Sequence, residues 1–410
     1  MNVSEIWNRL NNLRIFTIVA ASPRPGSDFL HSLLDSHKEV LTFDGWLLFH
    51  QFYDKSISVY GTNRLMMGVH GEVKTNQFDR INIENFFFEF AWTHLHKFDS
   101  RYDNLENKGH LGVGKDEYNL VDIDQFVKIA SKIMSVVNFS RRNALLATYA
   151  AFEIASGGSL SEKKVMVHSV HLPEYIPNLR EDFPDLAVIA CIRDPRVYAS
   201  KIFKYHARLP LCTESVGINN AYLKLALDGI NFCHLTKCGV VVLERLHHKP
   251  YAVMRDVCIW LEIQYHDSLL SSTWRGREWL GDSLSSNIEQ CFDANRYLRD
   301  KDLWVKDLTK IDQIVIESLM KHEMNTFGYE RRFKRGFWSL ISIFLIIFPT
   351  RYEARLLHKA LFSKMTKILL YIIRSMLGRY VISYRKLFTT FFNKREVDLV
   401  IFGSSDNAQK

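Results

Sequence analysis

Ile15-Phe16-Thr17-Ile18-Val19-Ala20-Ala21, then Ser22-Pro23-Arg24-Pro25-Gly26-Ser27, then Asp28-Phe29-Leu30-His31-Ser32-Leu33-Leu34: this stretch decides the fold. Its first part is a short apolar run with β-branched members, the pattern of a buried parallel strand. Apolar side chains at positions 29, 30, 33 and 34 then fall at helical spacing. The unit reads as strand, tight glycine turn and helix. Backbone N–H groups at such a helix N-terminus have no partner within the helix and form an anion site. Gly26 lets the backbone approach a phosphate closely, Arg24 adds a cation, and the Ser27 hydroxyl adds a donor. Pro25 stiffens the loop by fixing φ. The loop is shorter than a Walker A loop and lacks its Gly-Lys-Ser/Thr.

Working outward, Asp185 to Ile192 (DLAVIACI) is a second buried strand, ending in Arg193-Asp194-Pro195-Arg196-Val197-Tyr198-Ala199-Ser200. An Arg at the C-terminal end of a parallel strand faces the crevice where α/β proteins bind ligands. A helix starting near Pro195 puts Ser200 about one and a half turns into it. Arg193 and Ser200 are so placed to grip a second anionic group. The alternative for Arg193 is a salt bridge with Asp194 or another acid.

Together the two motifs resemble the sulfotransferase family, which uses 3′-phosphoadenosine 5′-phosphosulfate (PAPS). SPRPGS with its following helix is similar to the family's 5′-phosphosulfate loop. FPDLAVIACIRDPR with Ser200 is similar to its 3′-phosphate passage. The resemblance continues through Gly239–Leu246 (GVVVLERL), the helix-like 250–261 and Trp279-Leu280-Gly281-Asp282-Ser283. It spans residues 12–330, is patchy between 45 and 155, and does not reach the tail.

The resemblance implies a three-layer α/β/α domain around a central parallel sheet, like that of P-loop NTPases. It assigns Arg24, Pro25, Gly26, Ser27 and Asp28 to the phosphosulfate loop and Arg193 and Ser200 to the 3′-phosphate. Arg24 would also neutralise the leaving phosphate. Asp28 departs from the pattern, standing where the family has a second Thr. A carboxylate in the first helical turn suits the helix dipole but repels a phosphosulfate if it points inward. Either it turns away, towards Arg24 or a tail cation, or nucleotide affinity suffers.

The reaction needs a base for the acceptor hydroxyl. His171-Leu172-Pro173 matches the family's His-Leu-Pro, which names His171. His168 stands where other members carry a Lys. Glu39, Glu72 and Glu89 are further candidates, since some members use a Glu.

In composition, 47% apolar and 24% charged residues in 410 describe a chain able to bury a core and exclude wholesale disorder. Six cysteines without a Cys-x-x-Cys pair, and no opening signal peptide, argue against a disulfide scaffold and a zinc site. Residues 45–155 are aromatic-rich, from Trp46 and Phe49 to Phe90 and Trp92; the sulfotransferase resemblance implies that this stretch is helical and helps line the acceptor side. Most of these rings are expected in the core.

The net charge of +8 is uneven: residues 331–410 hold 16 Lys and Arg against 4 Asp and Glu. The only boundary in the sequence is near 330, dividing a body from a basic tail of amphipathic helices. The tail's apolar run from Phe337 to Phe348 is shorter than the about 20 residues that span a bilayer. From Thr366 to Phe392, Lys367, Arg374, Arg379, Arg385 and Lys386 interrupt the apolar residues. That mixture suits helices lying in a membrane interface; the alternative is ordinary amphipathic packing on the body or a second subunit. The cations are interleaved with aliphatic residues, which argues against nucleic acid.

The expected protein is therefore a PAPS-dependent sulfotransferase that needs no metal. Its acceptor is a hydroxyl, of a glycan or glycolipid if the tail meets a membrane. It is expected to be cytoplasmic, peripheral on the cytoplasmic face of a membrane. The alternatives are a non-catalytic sulfotransferase-like binding protein and a P-loop phosphotransferase.

Overall fold

The computed structural model describes residues 2–22, 25–56, 80–95, 111–112, 114, 117, 121–207, 238–279, 281, 291–334, 336–349, 351–362, 366–392 and 399–404. Arg24, Glu72, Leu280, Asp282 and Ser283 lie outside them.

The opening apolar run forms β1 (Arg14–Ala20), and the residues after Gly26 form the helix Ser27–Asp35. The other strands of the main sheet are β2 (Val40–Leu41), β3 (Val165–His171), β4 (Ala187–Ile192), β5 (Cys238–Val242) and the late strand Leu399–Ile401. With β6 (Thr273–Trp274) and β7 (Arg277–Glu278) forming a separate antiparallel ribbon, that last strand is β8. The main sheet runs in the order β2-β3-β1-β4-β5-β8. β2 and β1 both pair with β3 in parallel, and β5 pairs with β8 in parallel. The fold is thus α/β, a mostly parallel sheet flanked by helices. Parallel strands covered on both faces must be apolar throughout, which is why β4 and β5 read as continuous hydrophobic runs.

The chain divides into two compact units: Met1–Val19, Ser27–Ile189 and Tyr251–Phe292 form one, and Ala20–Gly26, Ala190–Pro250 and Asp293–Lys410 the other. In the first unit, the helix Val3–Asn11 opens with a capping box between Asn2 and Glu5. Asp122 and Ser140 cap the helices Ile123–Met134 and Arg141–Ala155. The aromatic-rich region is helical over Arg80–Phe90, and Phe49, Phe86, Phe87 and Phe90 are buried in the core. Phe43 packs against Phe90, Tyr149 and Phe152. Trp46, Phe88 and Trp92 are exposed.

In the second unit, the helix Pro195–Ala207 begins at the proline of the second motif. Arg196 is its anchor: the buried guanidinium bonds Asp194 (2.8 Å) and Glu317 (2.9 Å) and stacks 4.1 Å over Trp304. The tail folds into the helices Gly336–Leu345, Arg351–Phe362 and Thr366–Phe392. None of the described helices is long and apolar enough to cross a membrane.

Candidate functional site

The glycine turn is built as its sequence requires. Gly26 has φ +84°, and a Cβ there would run into the Leu243 side chain. Only glycine meets both demands without strain. Beside it in the second unit, Ala21 N–H donates to Cys191 O (2.9 Å), and the Ser22 hydroxyl accepts from Arg193 N–H (2.9 Å). The ends of β1 and β4 are therefore stitched together where the two motifs emerge.

Arg193 is buried at the end of β4, and Ser200 is buried in the second turn of the helix Pro195–Ala207. Glu244, at the start of the helix Leu243–His248, accepts from Asp194 N–H (3.0 Å) and Tyr329 O–H (2.8 Å). Burial raises the Glu244 carboxyl above its ordinary range, against the opposing pull of the Arg193 charge. The Ser200 hydroxyl donates to Asp307 Oδ2 (2.6 Å).

In the first unit, the helix Ser27–Asp35 opens with a buried Ser27 and a half-buried Asp28. Asp28 Oδ1 lies 2.8 Å from Nε2 of His171. His171 reaches it by a break in β3. Ile18 pairs with Ser169 but Val19 pairs with His171, so the register skips Val170. His171 itself has φ 59°. A β-bulge re-aims a side chain, and a left-handed non-glycine residue costs on the order of 1–3 kcal/mol, a strain that concentrates at functional positions. Trp46 stacks on the His171 ring, with centroids 5.3 Å apart and planes at 19°. The Leu47 N–H donates to Ser169 O (2.8 Å) and ties that segment to β3.

Of the other proposed bases, His168 is fully buried within β3. Its Nδ1 shares a hydrogen bond with the Tyr149 hydroxyl (2.8 Å), and burial lowers its pKa to about 3, with the His50 and His31 charges adding. Glu39 lies at the opposite end of β3, beside Lys164 and Gln264 N–H; although burial works the other way, these partners lower its pKa. Glu89 is exposed on the helix Arg80–Phe90. One turn beyond Asp28, His31 is buried edge-on to Trp274, and burial lowers its pKa to about 4 against the pull of Asp28.

The structure thus joins Asp28 to His171, and Arg193 of the second motif to Ser22 of the first. Three residues here carry no assignment in the sequence. Trp46 reads as a core ring, Glu244 stands in a stretch that carries only a family likeness, and Asp307 has no local signal at all.

No protein-family model matches the sequence, and a search of curated proteins found no match. Among solved structures, the chain is similar to the sulfotransferase domain of the Synechococcus PCC 7002 olefin synthase, at 14% identity and a TM-score of 0.37, covering 78% of this chain and 95% of that one. It is also similar to the sulfotransferase domain of the curacin biosynthetic pathway, at 15% identity and a TM-score of 0.40, covering 78% and 98%. A third similar structure is a sulfotransferase from Mycobacterium avium, at 12% identity and a TM-score of 0.34, covering 80% and 81%.

Proposed function

We propose that the chain transfers a sulfuryl group from PAPS to the hydroxyl of an acceptor. The observation that carries this reading is the hydrogen bond between His171 and Asp28. It puts an imidazole beside the first turn of the helix whose N-terminus, preceded by the Gly26 turn, suits a phosphosulfate. The donor set fits that group: a positive-φ glycine, the N-terminus of a nine-residue helix, and the Ser27 hydroxyl.

In this reading the acceptor oxygen attacks sulfur in line, forming the new S–O bond as the bond from sulfur to the phosphate oxygen breaks. The acceptor proton passes to His171. A neutral imidazole that donates Nε2–H to a carboxylate keeps its lone pair on Nδ1, so Nδ1 takes the proton. Asp28 fixes the tautomer and stabilises the imidazolium that forms, and Trp46 holds the ring plane. The strain at His171 is then the cost of aiming this ring. Helix N–H groups and Arg24 would receive the charge growing on the leaving phosphate. Arg193 and Ser200 would hold the 3′-phosphate, with Asp307 giving up Ser200. The acceptor class we favour is a glycan or glycolipid.

Calorimetric titration with adenosine 3′,5′-diphosphate, with ADP as control, tests the reading on the wild type and Arg193→Ala. Tight binding of the 3′-phosphorylated nucleotide only, lost in the variant, is expected. Equal binding of ADP would overturn it. One observation favours a second reading, a non-catalytic binding relative: the Ser200 hydroxyl is already given to Asp307. PAPS binding with no release of adenosine 3′,5′-diphosphate on any acceptor would select that reading.

A further inference from the structure

The tail has its polar groups inside and its apolar groups outside. Arg379 is fully buried; its guanidinium bonds Glu353 (2.9 Å), Ile346 O (2.8 Å) and Phe348 O (3.2 Å). It thereby satisfies carbonyls just past the end of the helix Gly336–Leu345, which would otherwise lack partners. The Tyr380 and Tyr384 hydroxyls donate to Ile347 O (2.6 Å) and Ile343 O (2.7 Å), holding the first and last tail helices together. Lys386 is buried against Glu323 (2.7 Å). Leu356, Ala360 and Ile372 form a small core between the second and last helices.

The outward faces are the reverse. Phe337, Leu340, Phe344 and Ile347 recur at helical spacing along one side of the first tail helix and its exit, each more than half exposed. Leu370, Ile373, Leu377 and Val381 do the same on the last helix, from 42% to 67% exposed. A monomer surrounded by water does not leave two such stripes uncovered. Among the described tail residues the exposed charges are all positive, Arg332, Lys359, Lys367, Arg374 and Arg385 among them. From 331 to 392 the sequence has one carboxylate, Glu353, and it is buried under Arg379.

We propose that this outer face docks on an anionic lipid bilayer, with the helices lying in the interface plane and not crossing it. Charge decides the occupant. Apolar stripes flanked only by cations complement acidic headgroups over acyl chains. A second copy would bring cation against cation, with no exposed carboxylate in the described tail to pair them. The last helix is 27 residues long, but its charges forbid burial across the bilayer. The inference stands independently of the sulfuryl-transfer reading.

The test is co-sedimentation of the full chain with vesicles of phosphatidylcholine alone and of phosphatidylcholine with about a quarter phosphatidylglycerol. Binding is expected to be about tenfold or more tighter to the anionic vesicles and to weaken as salt is raised. Phe344→Asp with Val381→Asp should reduce it at least about tenfold. Both positions are exposed, so an unchanged thermal melt shows that the variant folds. Lys367→Glu with Arg374→Glu should abolish the preference for anionic lipid and leave the melt unchanged. Failure of the wild type to sediment with either vesicle would overturn the proposal. So would lipid-independent self-association that the Asp variants abolish, which would give the face to a second copy.

Discussion

Asp28 Oδ1 and His171 Nε2 lie 2.8 Å apart, linking the first turn of the helix Ser27–Asp35 to the last residue of β3. The carboxylate that breaks the family likeness of the loop is also the residue that orients the proposed base. If Asp28 serves the imidazole, Asp28→Asn should lower turnover about ten- to a hundredfold with nucleotide affinity unchanged. His171→Ala should cost about a hundredfold to ten-thousandfold. Steady-state kinetics with calorimetry of adenosine 3′,5′-diphosphate separate the effects. Tighter nucleotide binding in Asp28→Asn with turnover retained would show that the carboxylate acts only by repulsion.

The Ser200–Asp307 bond competes with any phosphate at Ser200. Asp307→Ala is expected to strengthen adenosine 3′,5′-diphosphate binding about tenfold by removing a like charge, and Ser200→Ala to weaken it. ADP affinity should not change in either variant. An equal gain for ADP would show that Asp307 does not face the 3′-phosphate.

The two arginines of the second motif should behave differently. Arg196→Ala leaves Asp194 and Glu317 buried without their cation and should destabilise the fold by about 3–5 kcal/mol. Arg193→Ala should act mainly on nucleotide affinity. Urea denaturation beside calorimetry distinguishes a structural from a binding residue.

Gly26→Ala places a side chain at φ +84° and against Leu243. It should destabilise by about 1–3 kcal/mol. Adding Leu243→Ala relieves the clash but not the φ strain, so only part of the loss should return relative to Leu243→Ala alone. A double-mutant cycle in urea measures the coupling.

Two buried histidines make the fold acid-sensitive. Burial lowers His31 from 6.5 to about 4 and His168 from 6.5 to about 3. With a depressed folded-state pKa, the unfolded chain binds the proton first. Stability is therefore intact above about pH 6.5 and falls as pH drops towards those lower values. Between pH 7 and pH 5 each should cost about 2 kcal/mol. His168→Leu should flatten this slope in urea melts at a series of pH values; an unchanged slope would place the acid sensitivity elsewhere.

The strand, glycine turn and helix of residues 15–35 were legible because they are local: apolar runs of strand length, helical spacing and a glycine are short-range signals. The second motif was legible for the same reason, down to Ser200 in the second turn after Pro195. The basic, amphipathic character of the tail also follows from composition. What the sequence could not show was who meets whom. Asp28 and His171 are 143 positions apart, and Ser200 and Asp307 are 107 apart. Those pairings depend on strand order, on a bulge at Val170 and on the left-handed backbone at His171, none of which has a sequence period. In the tail, only packing shows that Arg379 and Lys386 turn inward to buried carboxylates while Phe344 and Val381 face out. Burial of a charge depends on whether a partner and orphan carbonyls await it, and that is a property of the tertiary structure.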